Sequence, residues 1–398
     1  MNVCIGIRRE DKGQWERRAP IIPRDVRRLV EEHSLDVWVQ PSEFRVFRED
    51  EYAQAGARIV QDISLCPVIF GVKEIPPHAI RPDHTYAIFS HVVKGQPHNM
   101  PMLHQLLRQG CSLVDYERVT DANGRRLIFF GRYAGLAGMI DSLWALGQRL
   151  AWEGIPNPFE NVLPAWRYAD VAAAKTAIAE VGSRIAHDGL PAQISPMVVG
   201  FAGYGNVFRG ADEIMEVLPV REVAPADLPT AVSAPAARSV IYKVVFREEH
   251  TVEPIVPVER FDLQDYYAHP EKYRSRFAGF LPHLTVLVNC IYWEPRYPRL
   301  VTLADLRSLF GAGKTPRLRV IGDISCDIEG AIECTLKATD PGNPVYVYDP
   351  LTGQVTDGVA GRGPVVLAVD ILPSELPRDA SAYFSQVLLP SIPCLLYT

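Results

Sequence analysis

The stretch that decides the fold is Met197-Val198-Val199-Gly200-Phe201-Ala202-Gly203-Tyr204-Gly205-Asn206-Val207-Phe208-Arg209-Gly210. Its first six residues are apolar or small and carry no charge, which predicts a short buried strand over Met197–Ala202. A helix is expected from Asn206 to about residue 217. Gly203-x-Gly205 between the two is the setting of a dinucleotide turn, so Gly203, Tyr204, Gly205, Asn206 and Val207 are the candidate cofactor contacts. Glycines let the main chain approach a pyrophosphate, and the helix start presents N–H groups that have no partner within the helix. The third glycine of the fingerprint is missing, because Phe208 stands in its place. A bare structural turn is therefore the competing reading.

Upstream of the turn, residues 1–133 alternate strands and helices. Residues 3–7, 36–39, 68–72, 86–89 and 112–115 read as strands, and 23–32 and 100–109 as helices. Such alternation predicts an α/β lobe with a largely parallel sheet. Residues 131–153 form one long apolar pattern rich in Ala, Leu and Gly, which reads as a buried helix bridging two lobes. Downstream, 168–186 reads as a helix, 225–237 as a loop and 239–294 as a βα stretch with a Tyr-rich insertion. Residues 318–324 read as a strand, 345–356 as a hairpin and 380–389 as the last helix.

The 398 residues carry 41 basic and 47 acidic side chains, a net charge of −6. That length favours two or three lobes. Hydrophobic content of 47% and charged content of 22% are those of a folded globular chain. Slight acidity removes the electrostatic footprint of a nucleic-acid binder, and no apolar run approaches the ~20 residues of a membrane span. The N-terminus runs straight into a strand pattern with no leader-like segment. Seven cysteines lie scattered without a C-x-x-C pair, which predicts free thiols and a cytoplasmic protein.

Cofactor choice should be read at the end of the strand after the glycine turn, where an acid grips the ribose diol. The sequence there is Arg221-Glu222-Val223-Ala224-Pro225. With the acid absent or displaced, nothing repels a 2′-phosphate, so NADP(H) is expected; Glu222 in register would instead suit NAD(H). Gly311-Ala312-Gly313-Lys314-Thr315 imitates the end of a phosphate loop. It is rejected, because Ser308 replaces the first glycine and Pro316 prevents a normal helix start. Histidines at 78, 84, 91, 98 and 104 match no metal-ligand spacing, and no metal is expected.

Lys73-Glu74 and His91 each stand just past an expected strand. If those strands are parallel neighbours, an amine and an imidazole project from the carboxyl edge, where open α/β sheets bind ligands. Two proton carriers of different basicity suit acid–base work; a solvated Lys and a satisfied core His are the competing reading. Glu16-Arg17-Arg18 follows the first strand, and Arg125-Arg126 lie in a turn after Tyr116-Glu117. Arginines there are candidate carboxylate clamps, with a solvated charge run as the alternative.

Together these residues resemble a family. Glu16-Arg17-Arg18-Ala19-Pro20, Gly71-Val72-Lys73-Glu74, Phe89-Ser90-His91-Val92-Val93-Lys94 and Asp115-Tyr116-Glu117 resemble the lysine-forming saccharopine dehydrogenases. So do Phe130-Gly131-Arg132-Tyr133-Ala134-Gly135, Gly203-Tyr204-Gly205-Asn206-Val207 and Arg274-Ser275-Arg276-Phe277. The likeness continues in Asn289-Cys290-Ile291-Tyr292-Trp293-Glu294, Asp323-Ile324-Ser325-Cys326-Asp327 and Leu372-Pro373-Ser374-Glu375-Leu376-Pro377. They also resemble the lysine–ketoglutarate reductase half of aminoadipic semialdehyde synthase, and the Glu-x-Arg and Lys/His elements are shared with alanine dehydrogenases and transhydrogenase.

The resemblance implies two Rossmann-like lobes with parallel sheets and an active-site cleft between them. Residues 1–133 with 331–398 would form the substrate lobe, and 134–330 the dinucleotide lobe, in a free-standing reductase. The implied reaction condenses L-lysine with 2-oxoglutarate and reduces the imine with NADP(H) or NAD(H) to saccharopine, reversibly. Lys73 and His91 would be the acid–base pair and Arg18 and Arg126 the carboxylate clamps. Glu74 and Glu117 would tune the amine or receive an ammonium group, with Glu16 in a supporting place. Asp323 would lie near the nicotinamide, with Asp327 as its alternative. A related imine reductase or amino-acid dehydrogenase with another substrate pair, and a non-catalytic sensing module, are the competing functions. Oligomeric state is left open by the sequence.

Overall fold

The computed structural model describes residues 4–93, 95–233, 237–256, 260–311, 313 and 315–397. Val3 of the expected first strand, Lys94, and Ala312 and Lys314 of the rejected phosphate-loop mimic lie outside the described residues. The chain divides into two compact units, Met1–Phe130 with Pro377–Thr398, and Gly131–Leu376.

The first unit holds six strands: Cys4–Ile7 (β1), Asp36–Val39 (β2), Arg58–Ile59 (β3), Val68–Phe70 (β4), Thr85–Ile88 (β5) and Ser112–Asp115 (β6). They pair in the order β3-β2-β1-β4-β5-β6, and every pairing is parallel. The order reverses direction between β1 and β4, which makes their carboxyl ends the switch point where such sheets bind ligands. Helix Pro23–His33 (α1) starts with proline at its first position, where the missing N–H costs nothing, and stops at Ser34 in a left-handed conformation of φ 52°. Helices Glu49–Gln54 (α2) and Met100–Arg108 (α3) complete the crossovers.

Helix Pro377–Leu388 returns to this unit. Ser381 Oγ accepts from the Ala19 amide at 2.8 Å, and Ser385 Oγ donates to Asp25 at 2.6 Å. Its Phe384 stacks into an aromatic cluster with Phe89, Tyr116 and Phe130. β4 stops at Phe70, short of the expected 68–72, because the Val72 and Lys73 amides leave the ladder and donate to the Glu10 carboxylate.

The second unit opens with Gly131–Trp152 (α4) and Val171–Asp188 (α5), then Met197–Ala202 (β7), as the sequence predicts, and Asn206–Met215 (α6). Val220–Glu222 (β8) and Ile241–Phe246 (β9) follow, and Val252–Pro254 (β10) and Tyr273–Ser275 (β11) form a separate antiparallel pair. Val286–Asn289 (β12), Val320–Asp323 (β13), Val345–Tyr348 (β14), Val355–Asp357 (β15) and Val365–Leu367 (β16) complete an eight-stranded sheet in the order β15-β14-β16-β13-β12-β7-β9-β8. It is parallel from β8 to β16 and antiparallel at the β14–β15 hairpin edge. α4 crosses α6 almost backbone to backbone: a Cβ on Gly135 would lie 1.9 Å from the Val207 carbonyl oxygen, and one on Gly210 would lie 1.9 Å from that of Arg132.

Three expectations are corrected. The chain returns to the first unit at 377, not 331, because β16 pairs in parallel with β13 and draws β14 and β15 into the second sheet. Not every thiol is free: Cys4 and Cys66 form a disulfide, since the β1–β4 pairing sets Ile5 opposite Val68 and brings the two Cα atoms to 4.9 Å. Cys111, Cys290, Cys326, Cys334 and Cys394 are free. The strand beside β7 is β9, not β8, which moves the place where cofactor choice is read.

Candidate active site

In the first unit, Lys73 and Glu74 follow β4 and His91 follows its parallel neighbour β5. His91 Nδ1–H donates to Glu74 Oε1 at 2.9 Å, which leaves Nε2 as the basic nitrogen of the neutral ring. Asn99, itself 5% exposed, donates to both Glu74 Oε1 and the His91 carbonyl. Lys12 pairs with Glu74 Oε2 at 3.2 Å. His91 has φ 48°, a left-handed backbone that a non-glycine residue adopts at a cost on the order of 1 kcal/mol. The bonds to Glu74 and Asn99 hold it there.

Burial pushes the Lys73 ammonium below the usual lysine range, and the Arg18 guanidinium adds to this; Glu16 and Glu74 pull the other way. Burial alone would raise the Glu74 carboxyl, but the His91 hydrogen bond and Lys12 hold it well below the usual range. Burial likewise opposes ionisation of Glu16, yet Arg18 keeps it lowered through two bonds, Nε to Oε1 at 2.7 Å and NH2 to Oε2 at 2.5 Å. Both partners are buried, so much of Arg18 is spent on Glu16. Arg126 is the more open guanidinium; it reaches Glu117 at 3.4 Å and the Ile128 carbonyl at 2.7 Å.

An aromatic seam joins these groups. The Arg126 guanidinium lies 5.4 Å from the Phe89 ring, Phe89 stacks on His91 at 6.2 Å and meets Phe130 at a tilt at 5.7 Å, and Arg18 lies 4.5 Å over Phe130. Asp115 at the end of β6 accepts from the Ser90 hydroxyl and from the Glu117 amide, tying the ends of β5 and β6 together. Lys73, Glu74, His91, Glu16, Arg18, Glu117 and Arg126 thus gather along one sheet edge. Glu10 and Asn99 belong with them and escaped the sequence reading. Glu10 hides in a charge run, Arg8-Arg9-Glu10-Asp11-Lys12, and its role needs the β1–β4 adjacency.

In the second unit the glycine turn sits at the β7–β12 switch point. Gly203 has φ 97°, and a Cβ there would meet Ile291 and the Cys290 carbonyl at 3.0–3.1 Å. Gly205 precedes α6 with open space around it, and no side chain caps the helix start. Asn206 and Val207 open the helix, so its first amides are offered to a ligand. This arrangement fits a pyrophosphate. Phe208, in place of the third glycine, packs edge-on against Phe201, and the close packing that glycine would provide is supplied by Gly210 against α4.

Beyond β9, Arg247 lies 4.6 Å over the Tyr204 ring, and Glu248 accepts from the Tyr204 hydroxyl at 3.2 Å and the Tyr267 hydroxyl at 2.7 Å. Glu222, at the end of β8, is paired with Lys243 instead. The acid after an apolar strand was legible at 246–248; what the sequence did not reveal was that this strand, and not β8, flanks β7. Asp323 is 1% exposed and accepts from Asn289 Nδ2 at 2.8 Å and Thr335 Oγ1 at 2.5 Å. Burial pushes its carboxyl up to about 6, against those bonds. It ties the ends of β12 and β13 together from within. Among the described residues, no group of three or more His, Cys, Asp or Glu is placed to hold a metal, and no helix is long and apolar enough to cross a membrane.

Fold and site together define an α/β protein with a Rossmann-type sheet and glycine turn, and solved structures share that fold. Residues 6–137 match the alanine dehydrogenase/PNT N-terminal domain. Over 98% of the chain the fold is that of an L-alanine dehydrogenase structure, with a TM-score of 0.61 at 18% identity and 89% of that chain covered. A transhydrogenase from Sinorhizobium meliloti gives 0.58 at 13%, covering 97% of this chain and 91% of that one.

The sequence is 38% identical to an α-aminoadipic semialdehyde synthase of Arabidopsis thaliana over 97% of this chain and 38% of that protein. It is 37% identical to the mitochondrial synthase of Bos taurus over 98% of this chain and 43% of that protein. A saccharopine dehydrogenase (NAD(+), L-lysine-forming) of Emericella nidulans is 26% identical over 98% of this chain and 91% of its own length. The chain is thus similar to saccharopine dehydrogenases over nearly their whole length and to one part of the aminoadipic semialdehyde synthases. It spans about two fifths of the length of the synthases it matches.

Proposed function

We propose that this protein is an oxidoreductase that condenses L-lysine with 2-oxoglutarate and reduces the imine to saccharopine, reversibly, with NADP(H) preferred over NAD(H). The observation that carries the reading is the Lys73–Glu74–His91 group: a buried amine of lowered basicity follows one strand, and an imidazole bonded through Nδ1 to Glu74 follows the parallel strand next to it. Making and breaking a C=N bond needs two such proton carriers. The likeness to saccharopine dehydrogenases supports the substrate class.

In the proposed sequence Lys73 takes a proton from the substrate ammonium, and the freed amine attacks the ketone carbon. Lys73 returns its proton to the alkoxide oxygen, and His91 Nε2 takes the proton shed by the attacking nitrogen and hands it to the carbinolamine hydroxyl, which leaves as water, and a protonated imine remains. The nicotinamide ring supplies the hydride that reduces it. Glu74 keeps the imidazole in register through Nδ1 and, with Lys73 charged, offsets the added cation. Arg126, with Arg18 behind it, pairs the substrate carboxylates, and Glu117 restrains Arg126 until they arrive. Gly203, Gly205 and Asn206 would hold the pyrophosphate, with Tyr204 and Val207 flanking it and Asp323 ordering the strand ends on the nicotinamide side.

The NADP(H) preference now rests on Arg247 rather than on a missing acid. Its guanidinium is exposed beside Tyr204, whereas Glu248 is already engaged by two tyrosine hydroxyls. Five free thiols keep the cytoplasm as the proposed compartment, and the Cys4–Cys66 pair weighs the other way. The deciding assay is oxidation of NADPH that requires both L-lysine and 2-oxoglutarate. Turnover only with another amine or oxo acid would make the protein a related imine reductase, and cofactor binding with no turnover would make it a sensor.

A further inference from the structure

Glu10 stands three residues beyond β1 and reaches across the switch point of the first sheet. Its Oε1 accepts from the Val72 amide at 2.8 Å and its Oε2 from the Lys73 amide at 2.9 Å. These are the first amides released from the ladder after β4, at the crevice where a parallel sheet of this strand order presents N–H groups to a ligand anion. The Glu10 side chain is 4% exposed, and the Arg8 guanidinium lies 3.7 Å away. Arg8 in turn packs over Gly71, where a Cβ would come within 2.9 Å of Arg8 Cδ. A carboxylate buried this deeply is tolerated because two amides and one guanidinium face it.

We propose that Glu10 is the positioning residue of Lys73: its carboxylate fills the anion position of the first unit from within and thereby clamps the turn that holds the Lys73 amine in its buried place. The inference rests on the acid–base role given to Lys73 above. Its consequence is a division of labour between two sheets of similar plan. The second leaves its switch point open, with a bare Gly205 and an uncapped helix; the first closes its own with a side chain and presents an amine instead. Glu10 acts through the main chain. The charges that bear on the amine directly are those of Arg18, Glu16, Glu74 and Lys12.

The test uses the full chain with Glu10→Gln and Glu10→Asp. The Lys73 amine is titrated by NMR after reductive ¹³C-methylation, with Lys73→Met identifying the signal, and kcat and the NADPH Kd are measured alongside. Glu10→Gln sets an amide NH2 against a backbone N–H, so the clamp opens and water reaches the amine. The Lys73 pKa then rises toward the ordinary lysine value, and kcat falls about tenfold or more with the NADPH Kd unchanged. Glu10→Asp keeps the charge on a shorter arm and gives a smaller shift in the same direction; it also serves if the Gln variant does not fold. An amine that titrates as in wild type, or lower, overturns the proposal. Absence of lysine-dependent turnover in wild type would sink the functional reading, and the amine titration would still decide the role of Glu10.

Discussion

Lys73 and His91 show how a residue's neighbours set its chemistry. Burial lowers the Lys73 ammonium, and Glu74 orients the imidazole. Lys73→Met and His91→Ala should each lower kcat for lysine-dependent NADPH oxidation by about 10²–10⁴ while the NADPH Kd, read by fluorescence, stays within about twofold. Full activity in either variant refutes the assignment of that residue. At the far end of the cofactor site, Arg247→Ala should weaken NADPH binding about tenfold, or about 1.4 kcal/mol, and leave NADH nearly untouched. Equal losses for both cofactors would show that Arg247 does not read the 2′-phosphate.

At the scale of elements, the α4–α6 crossing sets the place of the glycine turn. Gly135 faces the Val207 carbonyl and the Ala211 amide, and Gly210 faces Arg132. Neither neighbour is a flexible side chain, so added carbon cannot be absorbed by a rotamer change. Gly135→Val should cost about 3 kcal/mol of stability and, by displacing the start of α6, abolish NADPH binding in whatever fraction folds. A thermal midpoint and cofactor affinity equal to wild type would contradict this packing. The same crossing explains why Phe208 is tolerated in place of the third fingerprint glycine: close approach is met two residues further on, at Gly210.

At the scale of the whole molecule, stability is tied to pH by a buried acid pair in the second unit. Asp141 on α4 and Glu375 are each 0–1% exposed and hydrogen-bond to one another. Burial raises both carboxyls, Asp141 to about 7 and Glu375 well above its ordinary range, and the Asp141 charge raises Glu375 further. The folded chain therefore holds protons that the unfolded chain releases. This stabilisation is complete below about pH 4 and is lost as pH rises through about 7. Glu375→Gln should flatten the fall of the thermal midpoint between pH 5 and pH 8 and leave the variant at least as stable as wild type at pH 8. Parallel curves for the two proteins would rule out the pair as its source.

Local pattern was enough for the elements themselves. β2, β6 and β7 have the bounds the sequence predicts, because apolar runs and helical spacing are properties of neighbouring residues. The strand ends at Lys73 and His91 and the turn at Gly203 were legible for the same reason, as was the likeness to saccharopine dehydrogenases. Strand neighbours were not, because pairing order depends on contacts between residues far apart in the chain. Hence β9 rather than β8 lies beside β7, β14–β16 join the second sheet, Cys4 meets Cys66, and Glu10 finds two amides more than sixty residues away. Sequence alone determined which titratable residues stand at the strand ends and where the chain turns. Only tertiary structure decided which of those groups are buried together, because desolvation and hydrogen-bond partners exist only once distant segments meet.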